Sequence, residues 1–107
     1  MEHHKHKFSK KDGGPIDQGE AKRWIDTYKK YHKGEVHAYY FGEDIIRKII
    51  DQDEAEGMRV YLGYSDEGNL QMVLIGTRAD GSNIWPGEGK DGYHGTVGDG
   101  GLPSPPY

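Results

Sequence analysis

The residue types able to do chemistry in this chain are few and scattered. It has 107 residues, six of them histidine and none cysteine. Disulfides, thiolate nucleophiles and thiolate metal ligands are therefore excluded. His3, His4 and His6 crowd the N-terminus, and imidazole is a common ligand for zinc, copper and nickel. The surrounding tract, MEHHKHKFSKKDGGP, is polar and basic, and Phe8 is its one large apolar residue after Met1. Such a tract reads as a disordered tail over residues 1–15 that attracts metal adventitiously, so no metal site is assigned to it.

His37 with Asp44, or His32 with a tyrosine, has the composition of an acid–base pair. His37 stands in an aromatic run, EVHAYYF, and His37, Tyr39 and Asp44 form the best candidate for holding a small ligand. No nucleophile accompanies them. G-x-S-x-G is absent, and Ser9, Ser65, Ser82 and Ser104 all fall in turn or tail sequence. A histidine beside tyrosines more often serves as a structural hydrogen-bonding group, so no catalytic residue is assigned and the balance is against an enzyme.

Three other patterns fail on context. Gly87-Glu88-Gly89-Lys90-Asp91-Gly92 fits G-x-G-x-x-G, but that motif cradles phosphates only between a strand and a helix N-terminus, and the sequence that follows is too rich in Gly and Pro for a helix. Asp66-Glu67-Gly68-Asn69 and Asp80-Gly81-Ser82-Asn83 resemble pieces of calcium loops without the distal bidentate glutamate, and turn chemistry accounts for both. Asp51, Asp53, Glu54 and Glu56 could supply hard-metal oxygens but read as a solvated acidic loop. Pro103-Ser104-Pro105-Pro106 has polyproline spacing, a weak signal at a Pro-rich end. No cofactor is assigned.

The elements that must position these residues centre on 57–77, GMRVYLGYSDEGNLQMVLIGT. Met58, Val60, Leu62 and Tyr64 alternate with Arg59, Tyr61 and Gly63, the period of a half-buried strand. Ser65–Asn69 has turn chemistry, and Leu70–Ile75 is nearly all apolar, which predicts a strand in the sheet interior. Gly76 marks a bulge or a close backbone approach. Residues 36–41 and 83–85 are candidate edge strands.

Asp17 with Glu20 has capping-box spacing and opens a helix that ends near Gly34. Its Trp24, Tyr28 and Tyr31 lie on one face, which is either core or an interface. Glu43–Gln52 predicts a second amphipathic helix through Ile45, Ile46, Ile49 and Ile50. Residues 86–107 hold seven glycines and four prolines, the composition of a loose tail.

The expected fold is α+β: two N-terminal helices packed on a small, mostly antiparallel sheet centred on the hairpin, in a single domain over 16–85. The stretches AKRWIDTYKK, FGEDIIRKII, GMRVYLGY and QMVLIG together resemble a small uncharacterised bacterial protein family. The resemblance covers about residues 17–83 and implies a compact α+β domain with a variable tail. No activity or site residue comes with it.

Hydrophobic residues are 33% of the chain and charged residues 30%, so the core is small and self-association is a natural remedy. The formal charge is −4; residues 1–16 carry four lysines against two acids, leaving −6 on the remainder. An acidic body argues against nucleic-acid binding, and no apolar run is long enough for a membrane span. No secretory leader is visible, so the expected location is cytoplasmic. The expected function is a non-enzymatic protein-interaction module, a homodimer or a binder of another protein. The alternatives are a small-ligand or metal-binding protein, or a small enzyme using His37.

Overall fold

The computed structural model of the protein describes residues 6–86 and 96–106. Among these described residues seven elements follow in chain order: α1 (Gln18–Tyr31), β1 (Ala38–Tyr40), α2 (Glu43–Ile50), β2 (Gly57–Tyr64), β3 (Leu70–Thr77), β4 (Val97–Gly98) and β5 (Leu102–Ser104). They make an α+β fold with two small antiparallel sheets, β2-β3-β4 and β1-β5.

The hairpin forms where alternation and turn chemistry place it. Gly57 pairs with Thr77 and Tyr64 with Leu70, so the ladder is unbroken from end to end. Gly68, at φ 86°, supplies the left-handed residue of the turn, and the Ser65 amide donates to the Asn69 carbonyl at 2.8 Å. The almost wholly apolar β3 is the central strand, with Leu74 and Ile75 buried on opposite faces.

α2 lies against β2, β3 and β4 and drives Ile49 into the core, where it is fully buried. Two glycines make this possible. A Cβ on Gly98 would sit 2.8 Å from Cγ1 of Ile45, and one on Gly76 would sit 2.8 Å from Nε2 of Gln52. Gly76 is therefore a close-approach glycine, which decides between the two roles its position allowed. Gln52 ties the helix end to the sheet. Its amide donates to the Ile49 carbonyl at 2.9 Å, and its Oε1 accepts from the Thr96 amide at 2.6 Å.

Several expectations are corrected. The segment after residue 86 is not a loose tail throughout, because residues 97–98 pair with β3 and residues 102–104 pair with β1. Composition hid them, since two- and three-residue strands carry too few side chains to show a period. β1 is not an edge of the hairpin sheet but half of its own two-stranded sheet. Residues 83–85 form no strand; Asn83 makes a single bridge to Thr77, and buried Ile84 bonds to the Gly76 carbonyl. Residues 6–12 of the expected disordered tail are docked: the Phe8 amide donates to the Ala79 carbonyl at 2.7 Å, and the Phe8 ring covers Gly81. Finally, α1 is not packed into the core. Asp17 caps it by accepting from the Glu20 amide, but Glu20 turns to Arg23 instead of closing the box, and no α1 residue is buried.

These pairings generate two expectations. A chain cut after Trp85 loses β4 and β5, so its cooperative thermal transition disappears, whereas a true tail would leave the melting curve unchanged. Ile49→Ala opens a void in the core and costs about 2–5 kcal/mol. Ile50→Ala, at a position 40% exposed, serves as the control and costs less, read by chemical denaturation.

Candidate functional site

The residues singled out by type do not converge. The His37 amide donates to the Ser104 carbonyl at 2.9 Å, and Tyr39 sits two residues on in β1. The Tyr39 hydroxyl donates to the Leu70 carbonyl, so it joins the two sheets and has no free proton for a ligand. Asp44 lies in the first turn of α2 and is exposed. Among the described residues, no hydrogen bond or ion pair joins His37, Tyr39 and Asp44.

His32 does meet a tyrosine, but by stacking on Tyr28 with ring centroids 4.0 Å apart and planes at 16°. Stacked faces exchange no proton. The His32 Nδ1 instead lies 3.4 Å from a Glu35 carboxylate oxygen.

Among the described residues, no group of three or more His, Asp or Glu side chains could hold a metal ion. His6 pairs with Asp12 at 3.0 Å. His3, His4 and the glycine pattern at 87–92 lie outside the described residues. In the acidic loop, Glu54 accepts from Arg78 at 2.7 Å. The oxygens of the second turn are also committed: Asp80 accepts from the amide and hydroxyl of Ser82.

What the open end of the hairpin holds is a polar lock that sequence reasoning missed. The Arg59 guanidinium donates to the Gly81 carbonyl at 2.9 Å and to Asn83 Oδ1 at 2.7 Å. Asn83 Oδ1 also accepts from the Thr77 hydroxyl, while its Nδ2 donates to the Tyr61 hydroxyl at 2.7 Å. The Phe8 ring lies 5.2 Å from the Arg59 guanidinium, a cation–π distance. Beside it a cleft of about 250 Å³ runs between Phe8–Asp12 and the start of β2. The hydrogen bond from Asn83, with the Arg59 charge behind it, lowers the Tyr61 hydroxyl below the usual tyrosine range.

The more telling feature is what stays uncovered. On α1, Trp24, Ile25, Tyr28 and Tyr31 share one face and are 62%, 51%, 45% and 74% exposed. On β2, Val60, Leu62 and Tyr64 share one face and are 49%, 68% and 80% exposed. Both were legible as apolar stripes; of the two roles open to Trp24, Tyr28 and Tyr31, core packing within the chain is excluded, and the outer half of the hairpin is bare. β2 is also an edge strand, with no backbone bond to its outer side among the described residues. Exposed apolar faces of this kind mark contact surfaces.

The chain matches no protein-family model, no curated protein and no solved structure. The functional reading therefore rests on its own residues.

The lock predicts an alkaline signature. A folded-state value below the unfolded one adds stability only where the phenol ionises, so the effect is nil at neutral pH and grows as the pH climbs through the folded value. Tyr61 should ionise below the ordinary tyrosine range in a spectroscopic titration, and Asn83→Ala should move it back up. The same substitution removes the acceptor of Arg59 and Thr77 and costs about 1–3 kcal/mol.

Proposed function

We propose that the protein is a non-enzymatic interaction module that associates with itself through its folded body. The observation that carries this reading is α1: a 14-residue amphipathic helix that buries none of its residues. Most helical stability in proteins comes from packing an apolar face, and an isolated helix of this length is marginal in water. A molecule carrying both this face and the bare face of β2 is stabilised by covering them. In this reading the helices do pack on a sheet, α2 on its own and α1 across the contact. The small core supports the same conclusion, since among the described residues only five hydrophobic ones are buried: Ile49, Ala55, Leu74, Ile75 and Ile84.

The ligand-binding alternative draws less support, because Tyr39 is spent on Leu70 and Asp44 faces solvent. Membrane insertion through a helix draws none, since no helix among the described residues is long and apolar enough to cross a bilayer. The reading places the protein in a bacterium on the strength of the family resemblance alone.

The test is the solution mass of the full chain by light scattering across a concentration series. The full chain is required because residues 97–104 belong to the sheets. The expected result is a rise from the mass of one chain to that of two. A mass that stays at one chain throughout the series would overturn the reading.

A further inference from the structure

The uncovered faces of α1 and β2 match each other in length, chemistry and charge. We propose that each copy lays α1 on the β2 face of a second copy, reciprocally about a two-fold axis, with the C-terminal turn of the helix at the other copy's hairpin tip. This rests on the self-association reading and names its contact.

Length comes first. From Trp24 to Tyr31 is about two helical turns, or roughly 10 Å. From Val60 to Tyr64 along the strand is roughly 13 Å. The two stripes match to within about 3 Å.

Area comes second. An aromatic side chain contributes roughly 150–250 Å² when buried. At their observed exposures the three aromatics and Ile25 on α1, with Val60, Leu62 and Tyr64 on β2, offer on the order of 800 Å² per chain. That is the share each partner gives to a standard stable interface.

Charge comes third, and it sets the direction. Residues 18–33 carry five basic side chains against two acidic ones, and residues 51–67 carry six acidic against one basic. Lys29 and Lys30 occupy the last turn of α1, next to Tyr31. Asp66 and Glu67 sit exposed at the hairpin tip, next to Tyr64. Placing Tyr31 near the other copy's Tyr64 brings the basic last turn of α1 to the acidic hairpin tip. The single basic residue of the acidic stretch, Arg59, is turned inward by its bonds to Gly81 and Asn83, so it does not repel the helix.

The choice of a second copy over self-cover follows from the anchors. The chain before α1 is fixed at Phe8 on Ala79, and the chain after it is fixed at His37 on Ser104. Held on both sides, α1 still buries none of its residues against its own chain. Reciprocal pairing also closes, as a two-fold contact must, and so forms a dimer instead of a filament.

The experiment uses two charge-reversed full-length chains, one carrying Lys29→Glu and Lys30→Glu, the other Asp66→Lys and Glu67→Lys. All four positions are exposed, and circular dichroism checks that each chain folds. Light scattering should show each variant alone dimerising about tenfold more weakly than the native chain. An equimolar mixture should recover native affinity, because each reversed helix then meets a reversed tip and each native helix a native tip. Leu62→Asp should abolish association. Variants that dimerise as tightly as the native chain, or a mixture that fails to recover, would overturn this contact while leaving self-association standing. A native chain that is monomeric at every concentration would remove both.

Discussion

The structure depends on the close approach of α2 to the central sheet. Ile49 is fully buried because Gly76 and Gly98 present no side chain beneath the helix. A larger residue at Gly98 would collide with Ile45 and Ile49, and one at Gly76 would press on Gln52 and the Ile49 carbonyl. The approach also brings Gln52 within reach of both the helix end and the Thr96 amide. One helix, two glycines and one amide side chain thus fasten a two-residue strand that would not hold by itself. The short β4 in turn flanks β3 and makes it an interior strand.

The other end of the hairpin is held by polar groups. Arg59 reaches the 78–83 turn from β2, Arg78 braces it from within, and Asn83 uses both ends of its amide to hold it to the hairpin. The turn becomes a rigid platform for Phe8, whose amide and ring both settle on it. Arginine suits this role because its planar donors engage several acceptors while its face still meets an aromatic ring. The platform costs the molecule a functional arginine: Arg59 looks available in the sequence and is occupied in the fold.

The hairpin, its turn, the interior position of β3, the Asp17 cap and the second helix were all legible, because each is written in local period or capping chemistry. What was not legible depended on tertiary partners. A stripe such as Trp24–Tyr31 announces a face but not what covers it. Val97 and Leu102–Ser104 lie in sequence whose glycines and prolines outweigh any strand signal, and only the positions of β3 and β1 recruit them. The His37, Tyr39 and Asp44 group failed for a geometric reason. His37 and Tyr39 are two residues apart along an extended stretch, but Gly42 turns the chain before Asp44 and leaves its carboxylate in solvent. The polar lock was missed because Arg59, Thr77 and Asn83 carry no spacing signature until the chain turns back on itself.

The small sheet formed by β1 and β5 has a consequence for the order of assembly. Its partners, Ala38 with Ser104 and Tyr40 with Leu102, are far apart along the chain, whereas the strands of the hairpin are neighbours. Closing that ladder encloses α2 and the whole hairpin in a single large loop. Loop closure of this kind carries the larger entropy cost and slows the search for native pairing. The hairpin is therefore the natural nucleus and the β1–β5 ladder the final fastening. In the folded protein the same ladder is the seam that opens first, so its amides should exchange with solvent well ahead of those in β3.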